Sequence, residues 1–243
     1  MSTPTASPPP IAPPAVAPPS PPKTWGVWWI VLGAFLALVI GSVLGAIPIL
    51  IAGDPDNEVA AIIAQAFFAG ALIVVPFLIL RMVQVGPAID RLGLRRFSFG
   101  SGIGWMFAAY GIFFAFAIAY SLVVQTDTEQ QVLQDISDQQ DTALLIAMGL
   151  LVVVAAPISE ELFFRGFLFG GLRGRMSFWP AALISGAIFG SIHLAGGSIE
   201  VVPPLIVFGV LLAWLYERTG SLGPPMMMHA LQNGLAFAIT TAG

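Results

Sequence analysis

Apolar runs long enough to span a bilayer, for which about 20 residues suffice, alternate with short polar breaks from Trp25 to the end of the chain. The pattern predicts seven helical spans, near 25–51, 59–80, 101–124, 142–172, 178–196, 202–217 and 224–241. The fourth is too long for one simple crossing and contains Pro157, so a kink or break is expected there. The chain before Trp25 is of another kind. Half of its 20 prolines stand in the first 22 residues, and such a run forms neither helix nor core. The expected organisation is all-α: a disordered Pro-rich tail over 1–24, N-terminal transmembrane helices over 25–141, and a second helical core over 142–243.

Composition makes the membrane reading firm. Hydrophobic residues are 57% of the chain and charged ones 9%, with a mean hydropathy of +0.90. A soluble domain carries about 25% charged residues, and one with so few could not clothe its surface. The formal charge of −4 leaves no basic patch for nucleic acid. The absence of Cys excludes disulfides, thiol catalysis and Cys-ligated metals.

The loop charges sort by sign. Lys23, then Arg81, Arg91, Arg95 and Arg96, then Arg173 and Arg175, then Arg218 fall in alternate loops. Asp54, Asp56 and Glu58, then Asp127, Glu129, Asp135, Asp138 and Asp141, then Glu200 fall in the others. An Arg and Lys excess marks the cytoplasmic side, so a cell-membrane protein with a cytoplasmic N-terminus is expected. Trp25, Trp28, Trp29 and Trp179 stand near the same ends, where interfacial anchors belong. The Gly41–Gly45 spacing suits a helix-packing seam, within the chain or between chains.

Six polar residues remain inside the apolar spans: Glu160, Glu161, Arg165, His193, His229 and Asn233. Such groups are costly in hydrocarbon and mark function by default. Glu161 and Arg165 are four apart with the acid first, the favoured orientation for an ion pair, which could be purely structural. Glu160 points about 100° away, leaving a spare carboxylate of the kind burial tunes into a general base. Phe189 and His193 are also four apart. Counting from a turn near Met176 sets Glu160 and His193 at similar depth, which suits a water-activating pair. His229 and Asn233, again four apart, are hydrogen-bond donors suited to an oxyanion hole. His229 starts near one face, however, whereas His193 lies roughly 22 Å into its span. The two meet only if the fourth and fifth helices project into the cytoplasm, or the seventh is tilted or re-entrant.

These residues resemble the CPBP family of intramembrane proteases, which includes the type II CAAX prenyl endopeptidases and bacteriocin-processing or immunity proteins. Its three motifs stand in order over roughly residues 142–241, as Glu160-Glu161…Arg165, Phe189…His193 and His229…Asn233. The resemblance implies a glutamate-dependent membrane endopeptidase. In it Glu160 and His193 would activate water, His229 and Asn233 would stabilise the oxyanion, and Glu161 and Arg165 would brace the site with Phe189. Its partners would be the bilayer and a polypeptide substrate, lipidated in CAAX-type processing. No obligatory metal is expected, although Glu160, His193 and His229 could hold zinc as well as a water. Two other classes compete. One is a non-catalytic immunity or binding protein that keeps the cluster for folding. The other is a proton-relaying transporter, disfavoured by the lack of two related halves. Ser191 is two residues from His193, on another helix face, so serine catalysis is also disfavoured.

Overall fold

In the computed structural model, residues 25–84, 86–124, 141–196 and 198–242 are described. The proline-rich tail and the acidic loop carrying Asp127, Glu129, Asp135 and Asp138 lie outside them. The described chain is helical throughout, with no strand. Its helices are α1 (Val27–Ala52), α2 (Glu58–Met82), the short α3 (Ala88–Arg91), α4 (Phe99–Val123), α5 (Thr142–Arg173), α6 (Phe178–Ile192), α7 (Val202–Thr219) and α8 (Gly223–Ala242). The long apolar helices α1, α2, α4, α5 and the one ending in α7 are each sufficient to cross a membrane. With 15 residues α6 is shorter, and α8 is long enough but more polar, carrying His229, Gln232 and Asn233. Each expected span is therefore a helix, and the protein is a multi-pass membrane protein.

Small residues set the first hairpin. Gly53, at φ +68°, ends α1 in the left-handed conformation, and the Asn57 side chain caps α2 by accepting from the Ala60 N–H at 2.9 Å. Gly33, Ala37, Gly41 and Gly45 form the buried stripe of α1. At Gly45 a Cβ would stand 3.1 Å from the Ala64 carbonyl oxygen, and at Gly41 it would meet Phe68. The Gly41–Gly45 spacing thus serves a seam inside the chain, between α1 and α2.

The centre of the molecule is α5, which packs against α1, α2, α6, α7 and α8. Pro157 does not break it. A widened, π-helical turn over Leu151–Ala155 directly precedes Pro157, and a second covers Leu162–Phe169. The wider turn accommodates the missing N–H and the pyrrolidine ring, so the expected break becomes a continuous helix with altered pitch. Phe163, Phe164, Phe167 and Phe169 of the second π-turn are all buried.

Trp28 and Trp179 are exposed, as bilayer-surface anchors are. Trp25 is not. It is buried, stacked on Phe167 at 5.6 Å and covering Gly171, because α5 leaves a glycine-floored slot for the indole. Its role is to dock the start of α1 onto α5.

A strap over residues 92–98 resolves the depth of α8. The Leu92 carbonyl reaches α5 where a Cβ on Gly166 would stand 2.7 Å away. The Gly93 carbonyl accepts from the Leu222 N–H at 2.9 Å, and the Ser221 hydroxyl donates to the Arg95 carbonyl at 2.6 Å. The turn that begins α8 is therefore sunk beside Gly166. Meanwhile α5 runs on to Arg173, whose guanidinium bonds Glu217 of α7. About 9 Å of helix from Gly223 then brings His229 level with the acidic pair.

Helices α6 and α7 cross closely at Gly186, where a Cβ would stand 2.9 Å from the Ile206 carbonyl oxygen. Gly186→Ala should therefore destabilise the protein by about 1–3 kcal/mol through overpacking, read as a lower thermal unfolding temperature in detergent. Gly70→Ala, whose Cβ enters open space, should leave that temperature unchanged or slightly raised.

Candidate active site

Three of the polar spans converge. The Arg165 guanidinium donates from Nη1 to Glu161 Oε1 at 2.9 Å, with both side chains fully buried, and from Nη2 to the Gly209 carbonyl at 3.2 Å. Its carbon lies 4.5 Å from the Phe189 ring centroid and 5.8 Å from that of Phe164. A cation in hydrocarbon survives only with such partners. Gly209 is glycine for a steric reason, since a Cβ there would press on the Gly186 backbone at 2.9 Å and on the guanidinium.

Glu161 Oε1 is shared. His229 Nδ1 lies 2.9 Å from it, and because a carboxylate only accepts, Nδ1 carries the hydrogen. Nε2 of the same ring then faces Glu160 Oε2 at 3.8 Å. The His229 ring is wedged edge-on between Phe189 at 5.7 Å and Phe208 at 5.5 Å. Glu160 stands apart from the Arg165 pair. It is 7% exposed, and its Oε2 has no hydrogen-bond partner. Glu161 Oε2 and Arg165 Nε are likewise buried without one. Unsatisfied buried polar atoms gathered at one point are unusual in a structural core.

His193 is half-buried in the 3₁₀ turn that follows α6. Its Nδ1–H donates to the Phe189 carbonyl at 2.8 Å, and its ring lies 4.9 Å from that of Phe189. Nε2 is thereby the nitrogen left with a lone pair. No hydrogen bond or ion pair joins His193 to Glu160; the two are linked through Phe189 and His229. Asn233 donates from Nδ2 to the Val152 carbonyl at 2.9 Å, in the first π-turn of α5. That bond ties α8 to the wide turn and leaves the second amide hydrogen of Asn233. Among the described residues no three His, Asp or Glu side chains converge as a metal-binding group.

Four participants escaped the sequence reading. The carbonyls of Gly209 and Val152 are backbone groups with no sequence signature, and Phe208 is one apolar residue among many. Gln232, whose Oε1 accepts from the Tyr110 hydroxyl at 2.9 Å, had a signal, since it is a strongly polar residue next to Asn233 inside a span.

Residues 142–235, which contain every one of these motifs, match the family of type II CAAX prenyl endopeptidases described as Rce1-like. The chain is 28% identical over 221 residues to the putative membrane peptidase YdiL of Bacillus subtilis, covering 85% of this chain and 86% of that one. It is 27% identical over 143 residues to the membrane-embedded CAAX protease MroQ of Staphylococcus aureus, 54% of this chain and 56% of that one. It is also 28% identical over 127 residues to the UPF0177 protein YxdF of Lactococcus lactis, 50% of this chain and 69% of that one. No solved structure matches significantly. These matches support a likeness to the CPBP family of intramembrane peptidases over the second half of the chain.

Removing one member of the buried pair should be far worse than removing both. Arg165→Met leaves Glu161 without its cation and should cost about 3–5 kcal/mol. Thermal unfolding in detergent should show Glu161→Gln/Arg165→Met recovering more than half of that loss.

Proposed function

We propose that this protein is an intramembrane endopeptidase in which Glu160 is the general base that activates water against a peptide bond of a membrane-associated polypeptide. One observation carries the reading. Of two adjacent buried carboxylates, Glu161 is bonded by Arg165 and His229, whereas Glu160 has an unpartnered oxygen 3.8 Å from an imidazole nitrogen. A carboxylate oxygen with no hydrogen-bond partner and no cation bonded to it is free to accept a proton from a water bound beside it.

The groups in place support the following steps. A water between Glu160 and the two imidazoles gives its proton to Glu160 as its oxygen attacks the scissile carbonyl carbon. His193, with Nδ1–H committed to Phe189, offers Nε2 to orient that water. The tetrahedral intermediate places negative charge on the former carbonyl oxygen. The second N–H of Asn233 is suited to stabilise it, joined by Nε2–H of His229 when that ring is doubly protonated as an imidazolium between Glu161 and Glu160. Glu160 then returns its proton to the leaving amine as the C–N bond breaks. Glu161 and Arg165 do not react. They fix the ring plane of His229 and the tautomer it presents.

The arginine-rich end of the bundle is read as cytoplasmic, which puts the N-terminal tail on that side. The site's position among apolar helices supports a polypeptide substrate that lies in the membrane or is tethered to it, by a lipid anchor in the CAAX-type case.

Glu160→Gln keeps shape and burial but removes the base, and should lower cleavage by roughly 10²–10⁴-fold while the protein accumulates normally. The measurement compares new peptide termini in membranes from cells expressing the wild type or the variant at matched levels. Termini that disappear only with the variant identify the substrates. Identical termini in both would sink the proposal and leave a non-catalytic binding protein.

A further inference from the structure

A second organised polar site lies away from the acidic pair, at the arginine-rich end. Arg218 is exposed near the end of α7. Its guanidinium carbon lies 5.2 Å from the Trp105 ring centroid and 5.5 Å from that of Trp214. The two indoles meet edge to face at 5.3 Å and join α4 to α7. A guanidinium held on aromatic faces is fixed in orientation, yet its N–H groups still point outward in its own plane.

The other arginines bonded near this end are already engaged by protein acceptors. Arg173 is bonded to Glu217 and the Met176 carbonyl, and Arg95 donates twice to the Asp90 carbonyl. Among the described residues Arg218 has neither a hydrogen bond nor an ion pair, and the acid beside it, Glu217, already belongs to Arg173. The surroundings are cationic. Ser221, three residues on, is bonded to the backbone of Arg95, which brings Arg95 and Arg96 to the same corner. Trp105 is 37% exposed on a membrane-crossing helix, six residues beyond the exposed Phe99. Exposed indoles at the end of a span mark the headgroup level.

We propose that Arg218, stacked on Trp105 and Trp214, binds the phosphate of an anionic phospholipid headgroup. The guanidinium fork takes two phosphate oxygens, the Arg95–Arg96 corner supplies the surplus positive field, and the exposed face of Trp105 lies along the lipid's glycerol and upper acyl chain. The shared chemistry with inorganic phosphate is the oxyanion; what selects the lipid is the aromatic wall beside it. This site is independent of the peptidase reading.

The test uses the full chain in nanodiscs of phosphatidylcholine with a minority of phosphatidylglycerol, counting retained lipids by native mass spectrometry. The wild type should retain phosphatidylglycerol preferentially. Arg218→Gln should lower that preference roughly fivefold, and Arg218→Lys, which keeps the charge and loses the planar fork, should fall between. Arg81→Gln, at the exposed end of α2, should match the wild type. Three outcomes would overturn the proposal: an unchanged preference in Arg218→Gln, an equal loss in Arg81→Gln, or retention of added inorganic phosphate in place of lipid. Since Arg218 is exposed, its variants should unfold at the wild-type temperature.

Discussion

A fully buried guanidinium is the constraint around which this protein is arranged. Arg165 lies inside a bundle meant for hydrocarbon, where an unpaired cation is prohibitive. Its stability requires Glu161 from its own helix, the Gly209 carbonyl from α7 and the ring faces of Phe164 and Phe189. Each partner fixes a helix. The Gly209 bond sets how closely α7 approaches α5, Phe189 sets the rotation of α6, and the second bond of Glu161 sets the position of His229 on α8. The ion pair is therefore less a source of net stability than a device that admits one arrangement of four helices.

Close approach is what makes those bonds reachable. Gly186 and Gly209 face one another where α6 and α7 cross, and a side chain at either would press on the opposing backbone and hold the two helices apart. The widened turns of α5 do the complementary job. They carry a proline through the helix without a break and present the Val152 carbonyl to Asn233. Irregular backbone at membrane depth is tolerated because it is enclosed by neighbouring helices, and here it sits on either side of the acidic pair.

The arginine-rich end works by a different physics. There, charges remain at the water boundary, and individual surface ion pairs such as Arg173–Glu217 contribute little to stability. Their effect is positional. The strap over 92–98 holds the start of α8 by two hydrogen bonds, from Leu222 N–H and the Ser221 hydroxyl, while Leu92 packs on Gly166 of α5. A site deep in the bundle thus depends on a short segment at its edge, and Arg218 stands on the same corner.

Much of this was written in the sequence, because hydrocarbon imposes strict rules. Seven apolar runs became seven helices, since a backbone without water must bond to itself. Glu161–Arg165 at a spacing of four and Glu160 one residue aside were equally legible, because helix geometry is local. The expected pairing of Glu160 with His193 rested on counting rise per residue, and no bond in the structure joins the two. What lay beyond the sequence were relations between segments. Nothing in the order of residues tells that Trp25 is a buried docking residue rather than a surface anchor, or that Pro157 is absorbed by a π-turn. Nor does it tell that His229, starting near one face, reaches Glu161 because its helix begins sunken beneath the strap. Those facts rest on backbone carbonyls, on which glycine opposes which neighbour, and on the offset between helix ends. Such quantities exist only once the chain has closed on itself.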